Sequence, residues 1–260
     1  MTATGIGTGT GTSVRSDWLR QFAPAAAGAP CVVVFPHAGG SAGFFVRLAQ
    51  ELSPAVRVLA VQYPGRLDRR GEPAVEDLRE LARRIAAAVA EERPAAPLAF
   101  FGHSMGALVA FEAALLGERG LGAAPDLLFV SGGRAPALTR VDPAVLRDDR
   151  SLIEEVVRLG GTSPLALEDE GLRDLVLPAL RSDYRALRAY VPAPGARVGC
   201  PIVALAGDRD PLAAVAEVER WRDNTSGGFR LRAFPGDHFY LTPRSRDVAE
   251  TVWLALTGRD

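Results

Sequence analysis

The stretch LAFFGHSMGALVAFE (98–112) decides the fold. Its first five residues form a short apolar run with the character of a strand. From Met105 the apolar residues continue as a helix to about Glu118. Between the two lies Gly102-His103-Ser104-Met105-Gly106, a G-x-S-x-G pattern at a strand-to-helix junction. A serine carried there sits on a turn so tight that the residues two away on either side must lack side chains. Gly102 and Gly106 meet that need. The start of a helix also offers free N–H groups and the positive end of its dipole, so negative charge at Ser104 is favoured. The pattern alone occurs by chance in many chains; its position between a strand and a helix gives it weight.

The same rhythm extends in both directions. CVVVFP (31–36) is β-branched without polar alternation and reads as a strand buried on both faces, followed by a helix over 41–52. RVLAV (57–61), LLFVS (127–131), PIVALAG (201–207) and FRLRAF (229–234) read as further strands. Leu78, Leu81, Ile85 and Val89 form a helical stripe with Glu76 and Asp77 at its positive end and Pro94 as its stop. Helices around 213–222 and 244–256 complete the series. Strand, short loop and helix in repetition imply right-handed βαβ units and a mostly parallel sheet flanked by helices, with ligands at the carboxyl ends of the strands.

Residues 137–192 break the rhythm, with helical pattern only. Asp142-Pro143 reads as an N-cap and first helical residue, and Gly160-Gly161 as a stop after Leu152, Val156 and Leu159. Leu172, Leu175, Val176, Leu180, Tyr184 and Leu187 form a second stripe, expected to kink or break near Pro178. Inserted just before the strand at 201–207, this segment is expected to be a helical lid over the strand ends. Residues 1–15 are Gly/Thr low complexity and are expected to be a mobile tail; 16–260 are expected to form a single domain.

The 260 residues carry 31 acids and 30 bases, every base an Arg, for a net charge of -1. No basic tract stands out, so nucleic acid is not an expected partner. The lack of Lys excludes a Schiff-base enzyme, a P-loop lysine and a lysine base. Cys31 and Cys200 form no disulfide framework or zinc knuckle, and His37, His103 and His238 are not clustered, so no metal site is expected. No stretch is long and apolar enough to span a membrane and the N-terminus is not a secretory signal, so a cytoplasmic protein without membrane partners is expected.

A nucleophilic serine needs a base, and the base a carboxylate to orient it. His238, in the loop straight after the last strand, is the candidate base; His103, beside Ser104, points away and reads as a supporting residue. The loop GDRDP (207–211) after the preceding strand offers Asp208 and Asp210, with Asp237 a weaker third choice. The order Ser, Asp, His is that of α/β-hydrolases. An oxyanion needs N–H donors already in place. One should be Met105 N–H. The other should come from the small residues of PHAGGS (36–41), with Ala38 first and Gly39 second; His37 is expected to shape that loop by side-chain hydrogen bonds.

FPHAGGSAGFF (35–45), QYPGR-x-DR (62–69), FGHSMGALVAFE (101–112), GDRDP (207–211) and GDHF (236–239) together resemble a type II thioesterase, the stand-alone editing hydrolase of polyketide synthases and nonribosomal peptide synthetases. The resemblance runs from about 18 to 256. It implies an α/β-hydrolase fold with a helical lid, and hydrolysis of acyl groups from the phosphopantetheine thiol of acyl or peptidyl carrier proteins. The enzyme would have no cofactor of its own, the phosphopantetheine arriving with the substrate. The resemblance favours Asp210 as the acid, with Asp208 supporting the turn. Arg66 and Arg69, after the second strand, would either meet phosphate or an acidic carrier surface or serve as solvated or structurally paired arginines. Tyr184 and Tyr190 would line an acyl pocket or simply pack. A product-releasing thioesterase, a general carboxylesterase and an acyltransferase are alternatives on the same residues; a binding module that has lost catalysis is opposed by the presence of every candidate group.

Overall fold

Consecutive β-branched and aromatic residues can sit in a strand without penalty only if both faces are covered. The strands Cys31–Phe35, Leu98–His103, Leu127–Ser131 and Ile202–Gly207 are buried at every residue, whereas the edge strand Phe229–Phe234 is largely exposed. A computed structural model describes residues 16–94, 97–160 and 169–259; the expected tail at 1–15 and Gly161 lie outside them. The strands are β1 (Leu19–Arg20), β2 (Cys31–Phe35), β3 (Arg57–Val61), β4 (Leu98–His103), β5 (Leu127–Ser131), β6 (Ile202–Gly207) and β7 (Phe229–Phe234). They form one sheet in the order β1-β3-β2-β4-β5-β6-β7, parallel except for β1. Val33, Phe35 and Phe100 face one layer, with helices α2 (Leu78–Glu92) and α3 (Met105–Glu118). Val32, Val34 and Phe101 face the other, with α1 (Val46–Leu52) and α7 (Ser245–Thr257).

Local signals set the helix ends. Asp77 caps α2, its carboxylate accepting from Arg79 and Glu80 N–H, and Arg93 closes it at φ 49°. The expected helix at 41–52 is split, a 3₁₀ turn (Ala42–Phe45) preceding α1. The helix expected at 213–222 is a short α6 (Val215–Glu219) running into a 3₁₀ turn.

Between β5 and β6 the described residues hold two 3₁₀ turns, α4 (Asp149–Arg158) and α5 (Glu170–Ala189). Asp142 caps as expected, but only the 3₁₀ turn at Pro143–Leu146; α4 takes Asp148 as its cap, with Ser151 N–H at 2.8 Å. Of the kink or break expected near Pro178, the break does not occur, since α5 runs through it as one 20-residue helix. Flanking residues Leu177, Ala179 and Leu180 pack inward and hold the helix together despite the lost backbone bond. The side chain of Leu172, expected on that stripe, lies outside the described residues.

From β2 the chain steps outward to β3, then returns across β2 to β4. The strand order therefore reverses between β2 and β4, the point where a parallel sheet opens a crevice at its carboxyl ends. Register completes the placement. Phe35 pairs Gly102, His103 pairs Ser131, and Gly207 pairs Phe234. The loops holding Ala38, Ser104, Asp210 and His238 thus all leave the sheet from the same edge.

Candidate active site

Ser104 sits at φ 56°, ψ −119°, a strained conformation for a residue with a side chain. Close packing over-determines it. A Cβ on Gly102 would lie 2.1 Å from Gly106 O, and one on Gly106 would lie 2.0 Å from Phe35 O. The turn is therefore wedged between its own helix and the end of β2, and the serine N–H is tied to Ser131 O at 2.8 Å.

His238 and Asp210 meet. His238 Nδ1–H donates to Asp210 Oδ2 at 2.8 Å, with both side chains essentially sealed from solvent. The other oxygen of Asp210 accepts from Leu212 N–H at 2.8 Å and Ala213 N–H at 3.1 Å, fixing the carboxylate plane. Of the three candidate acids only Asp210 reaches the histidine. Asp208 accepts from Gly236 N–H and ties the β6 loop to the β7 loop, while Asp237 accepts from Phe239 N–H in a local turn.

His103 is a packing residue, as expected. Its Nδ1 is 3.0 Å from Ser131 Oγ, which is 2.7 Å from Tyr240 Oη, and its ring lies 5.1 Å from that of His238. Burial, then the nearby His238 and His37, holds its pKa well below the ordinary histidine value. His37 departs from expectation. Its Nδ1 has no hydrogen-bond partner among the described residues. The ring is held edge-on by Phe44 at 4.5 Å and Phe239 at 4.9 Å, and lies against Gly40, where a Cβ would be 2.7 Å from Cε1. It shapes the loop by packing, and burial lowers its pKa to about 3.

Arg66 and Arg69 are structural. Arg66 is 6% exposed, is ion-paired with Asp183 of α5, and stacks on Tyr63 at 4.7 Å. Arg69 grips Glu72 with two bonds, donates to Gln62 O and covers Trp18 at 4.3 Å. Neither guanidinium is free to reach a phosphate.

Two cavities flank Ser104 beneath the helical insertion. The larger, about 570 Å³, is bordered by Ala38, Met105, Leu108, Val145, Tyr184 and Leu187; the smaller, about 70 Å³, by His37, His238, Leu180 and Tyr184. Tyr190 lines neither; its hydroxyl donates to Glu112 of α3 at 2.8 Å. Among the described residues no three His, Cys, Asp or Glu side chains converge where a metal could sit.

Asp183, Ser131 and Tyr240 were not singled out from the sequence. The signal for Asp183 was present, since it interrupts the stripe Leu180, Tyr184, Leu187 with a carboxylate that must find a partner when buried.

A family model described as thioesterase domain matches residues 30–254. The chain belongs to the thioesterase family. Over 235 residues the thioesterase is 49% identical to Thioesterase PikA5 of Streptomyces venezuelae, covering 90% of this chain and 84% of that one. Among solved structures it is similar to the type II thioesterase BorB from the borrelidin biosynthetic cluster, with TM-score 0.83, 42% identity and coverage of 92% of this chain and 98% of that one. It is also similar to the RedJ thioesterase from the prodiginine biosynthetic pathway in Streptomyces coelicolor, with TM-score 0.82, 37% identity and coverage of 88% and 92%. The sheet and its flanking helices are thus an α/β-hydrolase fold, and the thioesterase is a hydrolase of thioester bonds. No helix among its described residues is long and apolar enough to cross a membrane.

Proposed function

We propose that this chain is a serine thioesterase that removes acyl groups from the phosphopantetheine arm of carrier proteins, clearing stalled or misprimed units from a polyketide synthase or nonribosomal peptide synthetase. The observation that carries the reading is the buried Asp210–His238 pair at the same sheet edge as a strained, helix-capping Ser104.

The steps follow from the geometry. Because Nδ1–H is spent on Asp210, Nε2 of His238 is the basic nitrogen and takes the Ser104 proton. Ser104 Oγ attacks the thioester carbonyl. The oxyanion is met by Met105 N–H, which as the first of α3 has no intrahelical acceptor, and by Ala38 N–H. Gly39 is not the second donor, because its N–H is already given to Asp183 Oδ2 at 2.7 Å. The tetrahedral intermediate expels the thiol, which receives the proton from His238. Water, deprotonated by the same nitrogen, then releases the acid and restores Ser104.

The helical insertion serves as the lid, with Tyr184 bordering both cavities and the larger one receiving substrate. Phosphopantetheine enters as part of the substrate, and the protein needs no cofactor of its own; the cytoplasm, where carrier proteins are made and loaded, is the proposed location. The similarity to BorB and RedJ, thioesterases of natural-product pathways, supports this role over a general esterase.

A hydrolysis panel of varied acyl groups on one carrier protein, set against the same groups on a small thiol, tests it. The expected result is a kcat/KM at least about 10²-fold higher on the carrier, since binding of the remote protein is used at the reacting centre. Equal rates on small esters would favour a general carboxylesterase, and an acylated alcohol or amine product would favour an acyltransferase.

A further inference from the structure

Ala38 N–H can serve as an oxyanion donor only if the loop carrying it is held still. This loop follows β2 and has few side chains of its own with which to do that. Three side chains from elsewhere grip it. Gln62 Oε1 accepts from Ala42 N–H at 2.9 Å, Tyr63 Oη donates to Pro36 O at 3.0 Å, and Asp183 Oδ2 accepts from Gly39 N–H at 2.7 Å. Gln62 and Tyr63 come from the end of β3. Asp183 comes from α5 and is held by Arg66, two residues past Pro64 on that same β3 loop. QYPGR (62–66) and PHAGG (36–40) are therefore two halves of one device, joined through the insertion.

Building on the serine-thioesterase reading above, we propose that Asp183 is a positioning residue for the oxyanion hole. Its carboxylate fixes the Ala38–Gly39 peptide so that Gly39 N–H is turned away and Ala38 N–H faces the carbonyl. Since Asp183 belongs to the insertion, the donor is in place only while α5 is seated. Burial supports a specific role: Asp183 is 3% exposed, Arg66 6%, Gln62 1% and Tyr63 fully buried. A buried carboxylate needs its charge met and its lone pairs bonded, and Arg66 and Gly39 N–H supply both. Leu180, one turn before Asp183, seals the other side; a Cβ on Gly39 would lie 2.8 Å from its Cδ1.

Removing either charge alone would leave the other buried and unpaired, so the test uses two neutral pairs. Arg66→Met/Asp183→Asn keeps an oxygen that accepts from Gly39 N–H. Arg66→Met/Asp183→Leu has none. The Leu pair is expected to lose about 10²-fold in kcat with KM within about threefold, the loss typical of one oxyanion donor, while the Asn pair stays within about fivefold of native. A trifluoromethyl ketone analogue, which forms a tetrahedral adduct on the serine, should weaken by the same factor as kcat falls in the Leu pair. A ground-state thioether analogue should not. Equal kcat in the two pairs would overturn the proposal.

If the Leu pair does not fold, amide exchange in the native protein decides. Gly39 N–H should be protected throughout, and Ala38 N–H only after the ketone is added; free exchange at Gly39 would overturn the assignment. A Ser104→Ala chain run alongside separates the two levels. Its continued turnover would sink the serine mechanism itself, whereas an inert Ser104→Ala chain beside an active Leu pair would sink only the role of Asp183.

Discussion

The sheet edge and the helical insertion hold their residues by different means. At the sheet edge, backbone does the holding. Ser104 is wedged by contacts that leave no room for a Cβ at Gly102 or Gly106, and the Asp210 oxygen not bonded to His238 is held by two backbone N–H groups. The insertion's own buried apolar cluster among the described residues is Leu152, Leu180 and Tyr184. It is seated by Ala186, buried in the main core with Leu187 and Tyr190 packed beside it, and by polar contacts across long sequence gaps: Asp183 with Arg66 and Gly39, Tyr190 with Glu112, and Arg185 with Glu76. The groups proposed to react are thus placed by local backbone geometry, while the wall above them is held in part by long-range contacts that single substitutions can edit.

The largest effect should fall at the rigid edge. Asp210→Asn is expected to lower kcat by about 10⁴-fold, because the histidine loses its orienting acceptor. Asp208→Asn keeps an acceptor for Gly236 N–H and should stay within about threefold. Steady-state rates on one acyl carrier substrate check both; similar losses would erase the distinction between the two acids.

Next come the two cores. Phe101 lies fully buried in the sheet core, between Phe45 and Phe129, and Phe101→Ala should cost the whole fold about 3–5 kcal/mol in urea unfolding. Leu152→Ala removes a fully buried side chain from the small cluster of the insertion. It should raise protease cleavage within the insertion while leaving the global urea midpoint nearly unchanged. Equal global losses would show the two regions to be one cooperative unit.

Acid should act on the sheet edge through its histidines. Burial keeps His37 and His103 neutral in the folded protein, with pKa values lowered from 6.5 to about 3 and to well below 6.5. The unfolded chain takes up protons below about 6.5 and the folded chain does not, so stability is lost as pH falls through that window. The loss is at most about 1.4 kcal/mol per pH unit for each histidine. Urea unfolding at pH 7.5, 6 and 5 should show this, with a shallower slope for His37→Gln; an unchanged slope would contradict it. The smallest effect is expected at the exposed pair Arg185–Glu76, where Arg185→Ala should shift stability by no more than about 0.5 kcal/mol.

This contrast also explains what could be read from the sequence. β2 to β6 and the helix from Met105 to Glu118 were legible because buried runs and glycine punctuation are local signals, and the edge strand β7 because its apolar residues Phe229 and Leu231 alternate with Arg230 and Arg232. The gathering of Ser104, Asp210 and His238 at one edge followed from their places after strands. Asp208 and Asp210 could not be separated by residue type, because both are carboxylates on one loop. Their difference lies in which N–H groups the folded turn presents. Asp183 lies 117 residues from Arg66 and 144 from Gly39, beyond the reach of any spacing rule. β1 is two residues long, too short to show alternation, and owes its existence to pairing with Val61 and Ala60.

The most direct test is rapid-quench mass spectrometry of the protein mixed with an acyl-phosphopantetheinyl carrier. An acyl adduct should appear before free acid, map to the peptide containing Ser104, and be absent from Ser104→Ala, whose turnover should fall on the order of 10⁵- to 10⁶-fold. Release of acid by Ser104→Ala at the native rate, or an acyl group mapped to another residue, would contradict the serine mechanism.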